Sequence, residues 1–288
     1  EPWIQWVSVH TGLSAKEHRV FRLGDAAAGS CPQLYERLEE RGLRVGLISL
    51  MNVANRLRRP AYFLPDPWTE TPTDGSRFSR KLAAAISQVV NDNSKNKISF
   101  SSVITLSNAL LRFADPRKIA TYFSLIASAL GSRWKRSLLL DLLLHDIHIR
   151  LFKMKKPDLS GVFFNAGAHI QHHYMFNAQA LADRPLQNPH WYLAPEHDPI
   201  ADMAHVYERI VSDYLAMDGV NLLFVTGLTQ APYEEECFYW RLRDHRAFLT
   251  MIGVAFEKVS PRMTRDFLIE FADVQDCRRA EHALGRLR

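Results

Sequence analysis

The chain contains little cysteine and lacks a long apolar run, and each absence excludes a class of protein. Its three cysteines, Cys31, Cys237 and Cys277, are far apart and form no CxxC pair. This pattern excludes a disulfide-stabilised scaffold and a zinc ribbon or knuckle. The longest apolar stretch, 119–130, is shorter than the ~18 residues that a membrane-spanning helix needs. Free thiols, together with the absence of a visible signal or spanning segment, favour a cytoplasmic protein.

A strong excess of one charge is also missing. The chain has 36 Lys and Arg against 31 Asp and Glu, a net charge of +5 in 288 residues. This mild balance is compatible with a small anionic ligand, although a basic surface without a ligand is the more common cause of such a balance. We find no helix-turn-helix, RNP or zinc-finger signature, so the sequence predicts no nucleic-acid-binding motif.

The first residues predict a helix that extends to the beginning of the given sequence. Trp3, Trp6, Val7 and His10 recur at helical spacing, and Gly12 is a typical helix terminator. Because the chain begins at Glu1 rather than at methionine, we expect it to be a piece of a longer protein.

The order of helices and strands predicts an α/β fold. A charged helix at 33–42 precedes an apolar strand at 44–50, which is the pattern of an α/β unit, and 60–75 is predicted to be a loop. Further strands are predicted at 161–166, 221–225, 255–259 and 267–271. Further helices are predicted at 198–216, 238–253 and 274–287. We therefore predict a three-layer α/β/α sandwich with a mostly parallel central sheet.

The middle of the chain has helical patterns only. The predicted helices lie at 78–90, 101–112, 116–130 and 132–152, and Asp115-Pro116 is a typical helix start. We interpret this block as an inserted helical cap. The predicted organisation is thus a first core part at 1–75, a helical cap at 76–157 and a second core part at 158–288.

Three histidines, His169, His172 and His173, lie within five residues in the segment NAGAHIQHHYMFN, which we predict to be a loop after a buried strand. Imidazoles at the end of a strand are typical of a metal site or a phosphate-handling site. Two other interpretations stay open, namely a polar cluster satisfied by hydrogen bonds in a degenerate pocket and exposed loop histidines.

Other titratable residues allow both a structural and a functional interpretation. Asp141, His145 and His148 share one face of a helix and either bind a metal or form a polar stripe on the cap. His18 either donates hydrogen bonds beside a helix or acts as a ligand. His245 is a further candidate ligand near the end of the chain.

The segment SVHTGLSAKEH, Ser8 to His18, resembles the TGLxPxxHG segment of the alkaline phosphatase superfamily. The similar branch is the type I phosphodiesterase/nucleotide pyrophosphatase group. In that family a catalytic Thr or Ser stands at the start of the helix that ends in this segment. The resemblance therefore implies a nucleophile at or upstream of Glu1. Arg19 occupies the position of the glycine that follows the family's histidine.

The resemblance also implies a ligand set, from which this chain departs. The family places Asp-x-x-x-His at a strand end. His169 and His173 have that spacing with His in place of Asp, or His172 takes the His role and Ala168 replaces the Asp. The family's later Asp-His turn corresponds to the segment that begins at Thr226, which contains neither residue.

These correspondences give the residues that we predict for the site. The metal ligands are His169, His172 and His173, and the cofactor is a divalent metal, with zinc as the first candidate because zinc accepts imidazole. Substrate-binding residues are Gln5, Thr226 and Gln230.

Three functional hypotheses follow from these residues. The first is a metal-dependent phosphoester hydrolase that acts on a small anionic substrate, present here without its nucleophile segment. The second is a catalytically degenerate family member that binds an anionic ligand such as a nucleotide or a sugar phosphate. The third is metal-free chemistry with His172 or His173 as general base.

Overall fold

The chain divides into two compact units, Glu1–Glu234 and Glu235–Arg288. The computed structural model describes residues 1–91, 98–227, 229–232, 234–235, 240–261 and 267–287. We treat each unit by itself. The predicted division at residues 75 and 157 stays a prediction.

Helices predominate in the first unit. They are α1 (Pro2–Thr11), α2 (Ala15–His18), α3 (Leu34–Glu40), α4 (Arg77–Asn91), α5 (Phe100–Phe113), α6 (Ile119–Ser128), α7 (Trp134–Lys155), α8 (Ala166–Tyr174) and α9 (Pro199–Leu215). Short 3-10 turns lie at Pro116–Lys118, just before α6, and at several loop positions. The predicted helices at 78–90, 101–112, 132–152 and 198–216 are confirmed by α4, α5, α7 and α9, with ends that differ by a few residues.

A small parallel sheet lies among these helices. Its strands are β1 (Val45–Ile48), β2 (Tyr62–Leu64) and β3 (Leu159–Val162), in the order β2-β1-β3, and both pairings are parallel. Gly46 pairs with Tyr62, and a Cβ at Gly46 would collide with the Tyr62 ring, so glycine lets that ring lie against β1. The predicted mixed α/β fold with parallel strands is confirmed in this form; a three-layer sandwich is not confirmed.

Helix α7 is the centre of the main hydrophobic core. Leu138, Leu142 and Ile147 are almost completely buried, and the same cluster includes Ile48 of β1 and Tyr62 of β2. A helix that is apolar on nearly all sides must be covered on all sides. Accordingly, α7 packs against α5, α6, α8, α9 and the sheet.

Two predictions of local structure in this unit are wrong, one of a loop and one of a strand. The predicted loop at 60–75 contains β2, and the predicted strand at 221–225 forms no strand in the described residues. Leu223 is 86% exposed. A strand needs a hydrogen-bonded neighbour, and an apolar run without one adopts no regular structure.

The segment with the three histidines is a helix and not the predicted loop, and the preceding strand lies at Leu159–Val162 instead of 161–166. The reason is a long-range cap. Asp141 on α7 accepts hydrogen bonds from the backbone N–H groups of Ala166 (2.8 Å) and Asn165 (3.3 Å). These bonds satisfy donors that a new helix leaves unpaired.

The second unit contains α10 (His245–Met251), the antiparallel strands β4 (Lys258–Pro261) and β5 (Phe267–Glu270), and α11 (Val274–Gly285). The predicted helix at 238–253 begins only at His245, because Asp244 accepts a hydrogen bond from Ala247 N–H at 3.0 Å and caps the helix there. Residues 238 and 239 of that prediction lie outside the described residues.

Among the helices of the described residues, none combines the length and the apolar content that crossing a bilayer requires.

Candidate functional site

The carboxyl edge of the parallel sheet is the place where the chain can assemble a site. Because β1, β2 and β3 run parallel, their last residues, Ile48, Leu64 and Val162, lie at the same edge. In open α/β sheets ligands bind outside this edge. The segments that leave it are therefore the first candidates.

Helix α1 is held at this edge by Asn52, which follows β1. Its side-chain N–H donates to the carbonyl oxygens of Trp3 (3.3 Å) and Arg22 (3.2 Å). Its carbonyl oxygen accepts from Gly24 N–H at 3.0 Å. One buried amide thus connects the start of α1 to the end of a strand.

Trp6 on α1 brings two further segments to the same place. Its ring contacts Phe163, the first residue after β3, edge to face at 5.3 Å. A Cβ added at Gly227 would lie 3.5 Å from the Trp6 ring. The start of α1, the end of β3 and the Thr226–Gly227 segment therefore meet around Trp6, with Gln5 and Thr226 exposed beside it.

The three predicted ligands follow on α8, which begins three residues after Phe163. His169 is half-buried, whereas His172 and His173 are exposed. The rings of His169 and His173 lie 4.8 Å apart. His173 Nδ1 lies 3.2 Å from the Tyr192 hydroxyl, so one of its two ring nitrogens already has a partner.

Desolvation keeps two of these imidazoles neutral. Burial, with smaller contributions from His173 and His172, lowers the pKa of His169 to about 4. Desolvation by surrounding side chains, with the neighbouring His172, also lowers the pKa of His173, although part of its side chain is open to solvent. A neutral imidazole offers a lone pair to a metal or an N–H to an anion's oxygen.

His10 and His18, the two histidines of the Ser8–His18 motif, have structural partners. His10 bridges the Met51 carbonyl oxygen (3.2 Å) and the Tyr35 hydroxyl (2.9 Å), and burial lowers its pKa to about 4. His18 lies 3.1 Å from the Ser8 hydroxyl and accepts a bond from Val20 N–H at 3.0 Å. The hydrogen-bonding interpretation of His18 fits these contacts.

Asp141 is buried beneath α8 and holds it in place. Besides the two backbone N–H groups of the cap, its carboxylate accepts the Tyr207 hydroxyl at 2.8 Å. The same hydroxyl accepts a hydrogen bond from Gly167 N–H at 2.8 Å. Burial raises the pKa of Asp141 to about 7, against the opposing hydrogen bonds.

His148 lies one helical turn beyond His145 in a buried hydrogen-bond network. Its Nδ1 is 2.7 Å from the Tyr214 hydroxyl and its Nε2 is 2.6 Å from the Ser160 hydroxyl. Burial lowers its pKa to about 3. Both nitrogens are occupied, so Asp141, His145 and His148 do not act as one ligand set.

A different group has the donors of a metal site. In the part of the chain that the structure describes, His145, Asp146 and Asp213 are the one set of three such residues whose ligand atoms lie within 4.8 Å of one another. His145 Nε2 lies 3.0 Å from Asp213 Oδ2. Asp213 comes from α9, 68 positions from His145, so the sequence alone could not bring them together.

Lys118 fills the position that a metal would take in this group. Its ammonium contacts Asp146 Oδ1 and lies 2.6 Å from Asp213 Oδ2. Tyr122 donates a further bond to Asp146 at 2.9 Å. Burial pushes the pKa of Asp213 upwards, but hydrogen bonds from Lys118 and His145 outweigh it, so that the pKa is lowered.

A cavity of about 430 Å³ opens beside this cluster on the Asp213 side. Its lining carries Asp115, Arg117, Lys118, Glu208, Arg209, Ser212 and Asp213. Three cationic and three anionic side chains balance one another there, and Arg117 already pairs with Asp115. Such a lining gives no net preference for an anion or a cation.

No family model, no curated protein and no solved structure matches the chain.

Proposed function

We propose that the chain belongs to a phosphoester hydrolase of the alkaline phosphatase type. It would bind a small anionic phosphoester at the carboxyl edge of the parallel sheet. The observation that carries the proposal is the meeting of three segments around Trp6. These are the start of α1, the end of β3 and the Thr226–Gly227 segment, which are the segments that the resemblance assigns to the site. We also propose that the sheet is the centre of a three-layer fold.

The start of α1 favours an anionic ligand. Pro2 occupies the first turn, residues 2–4 include no acidic side chain, and Glu1, which precedes the helix, makes no capping hydrogen bond with its side chain. The positive end of a helix dipole stabilises phosphate oxygens. Gln5 and Thr226, both exposed beside Trp6, would add hydrogen bonds.

The donor set of α8 fits one divalent metal and not two. His169 and His173 are neutral, adjacent imidazoles, which zinc accepts. A second metal would need carboxylates, and neither α8 nor residues 226–230 contain one. When bound, the metal would polarise a phosphoryl oxygen. Gln5 and Thr226 would orient the phosphate, and the nucleophilic hydroxyl is expected at or upstream of Glu1.

The test is turnover of bis(p-nitrophenyl) phosphate by the full-length gene product in the presence of Zn²⁺. His169→Ala should lower the rate by about a hundredfold or more, since a direct ligand contributes at least as much as an outer-shell partner. The matched control is His205→Ala, an exposed histidine on α9. Equal rates for wild type and His169→Ala would contradict the proposal.

One observation favours a second function, a catalytically degenerate family member that binds a nucleotide or a sugar phosphate. The chain has neither Asp nor His at Thr226-Gly227, where the resemblance places the family's later Asp-His ligands. Calorimetry separates the two functions. Saturable binding of a nucleotide without turnover, weakened by Thr226→Val, supports the binding function, and turnover excludes it.

A further inference from the structure

His173 has a hydrogen-bond partner from a different segment of the chain. Its Nδ1 atom lies 3.2 Å from the Tyr192 hydroxyl, 19 positions further on. Tyr192 belongs to the segment between α8 and α9, so this contact joins the last turn of α8 to that segment. A contact of this kind restricts how the His173 ring can turn.

Tyr192 is fixed by its own neighbours. Its ring centroid lies 5.9 Å from the ring of Tyr174 and 5.9 Å from that of Trp191, and the pair with Trp191 is edge to face. Its backbone N–H donates to the Pro189 carbonyl oxygen at 2.8 Å. Aromatic contacts and a turn therefore set the position of the hydroxyl, which can accept or donate a hydrogen bond.

The helix that carries His173 is fixed separately. Asp141 on α7 accepts hydrogen bonds from the N–H groups of Asn165 and Ala166 and so caps the N-terminus of α8. This cap sets the place of the helix, but it leaves the side-chain torsions of His173 free to change. The Tyr192 hydroxyl is the partner that restricts the rotation of that ring.

The hydrogen bond that one imidazole nitrogen makes decides which nitrogen can bind a metal. Because the Tyr192 hydroxyl occupies Nδ1 of His173, Nε2 is the nitrogen that keeps a lone pair for a ligand. His169 lies one turn earlier on the same face of α8, with its ring 4.8 Å away. With a metal on Nε2, the ring proton of His173 stays on Nδ1, and this N–H donates to the Tyr192 oxygen.

We propose that Tyr192 is a positioning residue, which fixes Nε2 of His173 as the nitrogen that faces the ligand. This inference rests on the proposed function, because that function assigns His173 to a metal. Tyr192 acts through the imidazole and not by contact with the metal, so its effect depends on the presence of His173.

The first measurement is the Zn²⁺ affinity of the chain, determined by competition with a chromogenic chelator. Tyr192→Phe, which keeps the ring and removes the hydroxyl, should weaken Zn²⁺ binding about tenfold, as loss of an outer partner of a metal ligand does. In a chain that carries His173→Ala, Tyr192→Phe should have no further effect, because the hydroxyl acts through that imidazole. The matched control is Tyr174→Phe, whose ring lies 5.9 Å from that of His173. It should bind Zn²⁺ as wild type does.

The second measurement separates this inference from the proposed function. Two-bond ¹H–¹⁵N correlation spectra of the chain labelled with ¹⁵N-histidine show which ring nitrogen carries the proton and which binds the metal. Without metal, Tyr192→Phe should shift the Nδ1 resonance of His173, and Tyr174→Phe should not. This shift in a chain that binds no Zn²⁺ would contradict the proposed function and support the positioning role of Tyr192. Three results would overturn the inference. They are no shift in Tyr192→Phe, Zn²⁺ on Nδ1 of His173, or an equal loss of Zn²⁺ affinity when Tyr192→Phe is added to His173→Ala.

Discussion

Two groups of titratable side chains, one on α7 and one on α8, differ in whether the protein supplies a charged partner for them. In the α7 group, Asp146 and Asp213 share the ammonium of Lys118, and His145 donates to Asp213. In the α8 group, no third ligand atom from His, Cys, Asp or Glu joins the imidazoles within 4.8 Å in the described residues. The α7 group has the ligand atoms of a metal site, but the Lys118 ammonium already occupies the place of the metal. The α8 group has fewer ligand atoms, but its imidazoles keep lone pairs that a metal can bind.

The difference shows that a donor set alone does not define a binding site. Asp146 is buried and Asp213 is half-buried beside it, so the pair needs a positive charge, which the protein supplies as soon as it folds. A neutral imidazole pair needs none, so it can stay open for a ligand. We therefore interpret the α7 group as structural and the α8 group as the candidate for function.

The largest effect should come from Lys118→Met, which removes the cation from the filled group. Asp146 and Lys118 are both buried, so the variant leaves a carboxylate pair uncompensated. We expect the free energy of unfolding to fall by about 3–5 kcal/mol. Chemical denaturation measures the loss. The control Lys258→Met breaks an exposed pair with Glu270 and should cost less than about 1 kcal/mol.

The Lys118→Met variant also tests, with added Zn²⁺, whether Lys118 is what keeps a metal out of the α7 group. Without Lys118, the ligand atoms of His145, Asp146 and Asp213 can accept a metal, and the bound metal should raise the melting temperature. The His169→Ala/His173→Ala variant, which keeps Lys118, should show no such increase in melting temperature. An increase in that variant would mean that Lys118 does not keep a metal out of the α7 group.

The next effect concerns Asp141, the carboxylate that connects α7 to α8. Burial raises its folded pKa to about 7 from an ordinary value of 3.8. A raised pKa stabilises the fold at low pH, and this contribution is lost as pH rises through the folded pKa. Relative to wild type, Asp141→Asn should therefore gain stability between about pH 4 and 7, by at most about 1.4 kcal/mol per pH unit.

Unfolding measured across this pH range for both proteins gives the difference. The lowered pKa values of His10, His148 and His169 produce the opposite slope, because protonation destabilises the fold as pH falls below 6.5. Both proteins contain these histidines, so their effect cancels. A difference that does not change with pH would show that Asp141 is ionised throughout.

A smaller effect is expected at Arg19, in the motif beside the sheet edge. Its φ of 55° lies in the left-handed region, where the family's glycine would be free of strain. Arg19→Gly should raise the free energy of unfolding by roughly 1 kcal/mol. Arg22→Gly, at a position without positive φ, should lower it slightly because glycine adds entropy to the unfolded chain.

The smallest effect should be that of Leu223→Asp in the segment that leads to Gly227. An exposed substitution changes stability by no more than about 0.5 kcal/mol. A loss above about 2 kcal/mol would indicate that 221–225 is buried, as the predicted strand requires. Urea unfolding distinguishes the two, with Leu47→Asp in β1 as the buried reference.

Local patterns predicted much of the helical structure, because the periodicity of α4, α5, α7 and α9 lies within each segment. Strand β2 was missed since it has three residues between prolines. Helix α8 was missed because its cap, Asp141, lies 25 positions away from Ala166. Long-range partners of this kind leave no local trace.

Long-range partners also decide how much of each site could be predicted from the sequence. The cluster of His169, His172 and His173 was visible in the sequence, but its placement on a helix was not. The α7 group was only half visible, since Lys118 and Asp213 reach it from outside α7. One signal was present: His145 and Asp146 follow two runs of three leucines in the middle of a helix, where charged groups must find partners.

The most direct test of the central claim is a Co²⁺ titration of the chain, followed by visible absorption. We predict a ligand-field band in wild type that His169→Ala/His173→Ala abolishes and Asp213→Asn leaves unchanged. A band that persists in the double histidine variant and disappears in Asp213→Asn would place the metal in the α7 group and not on α8.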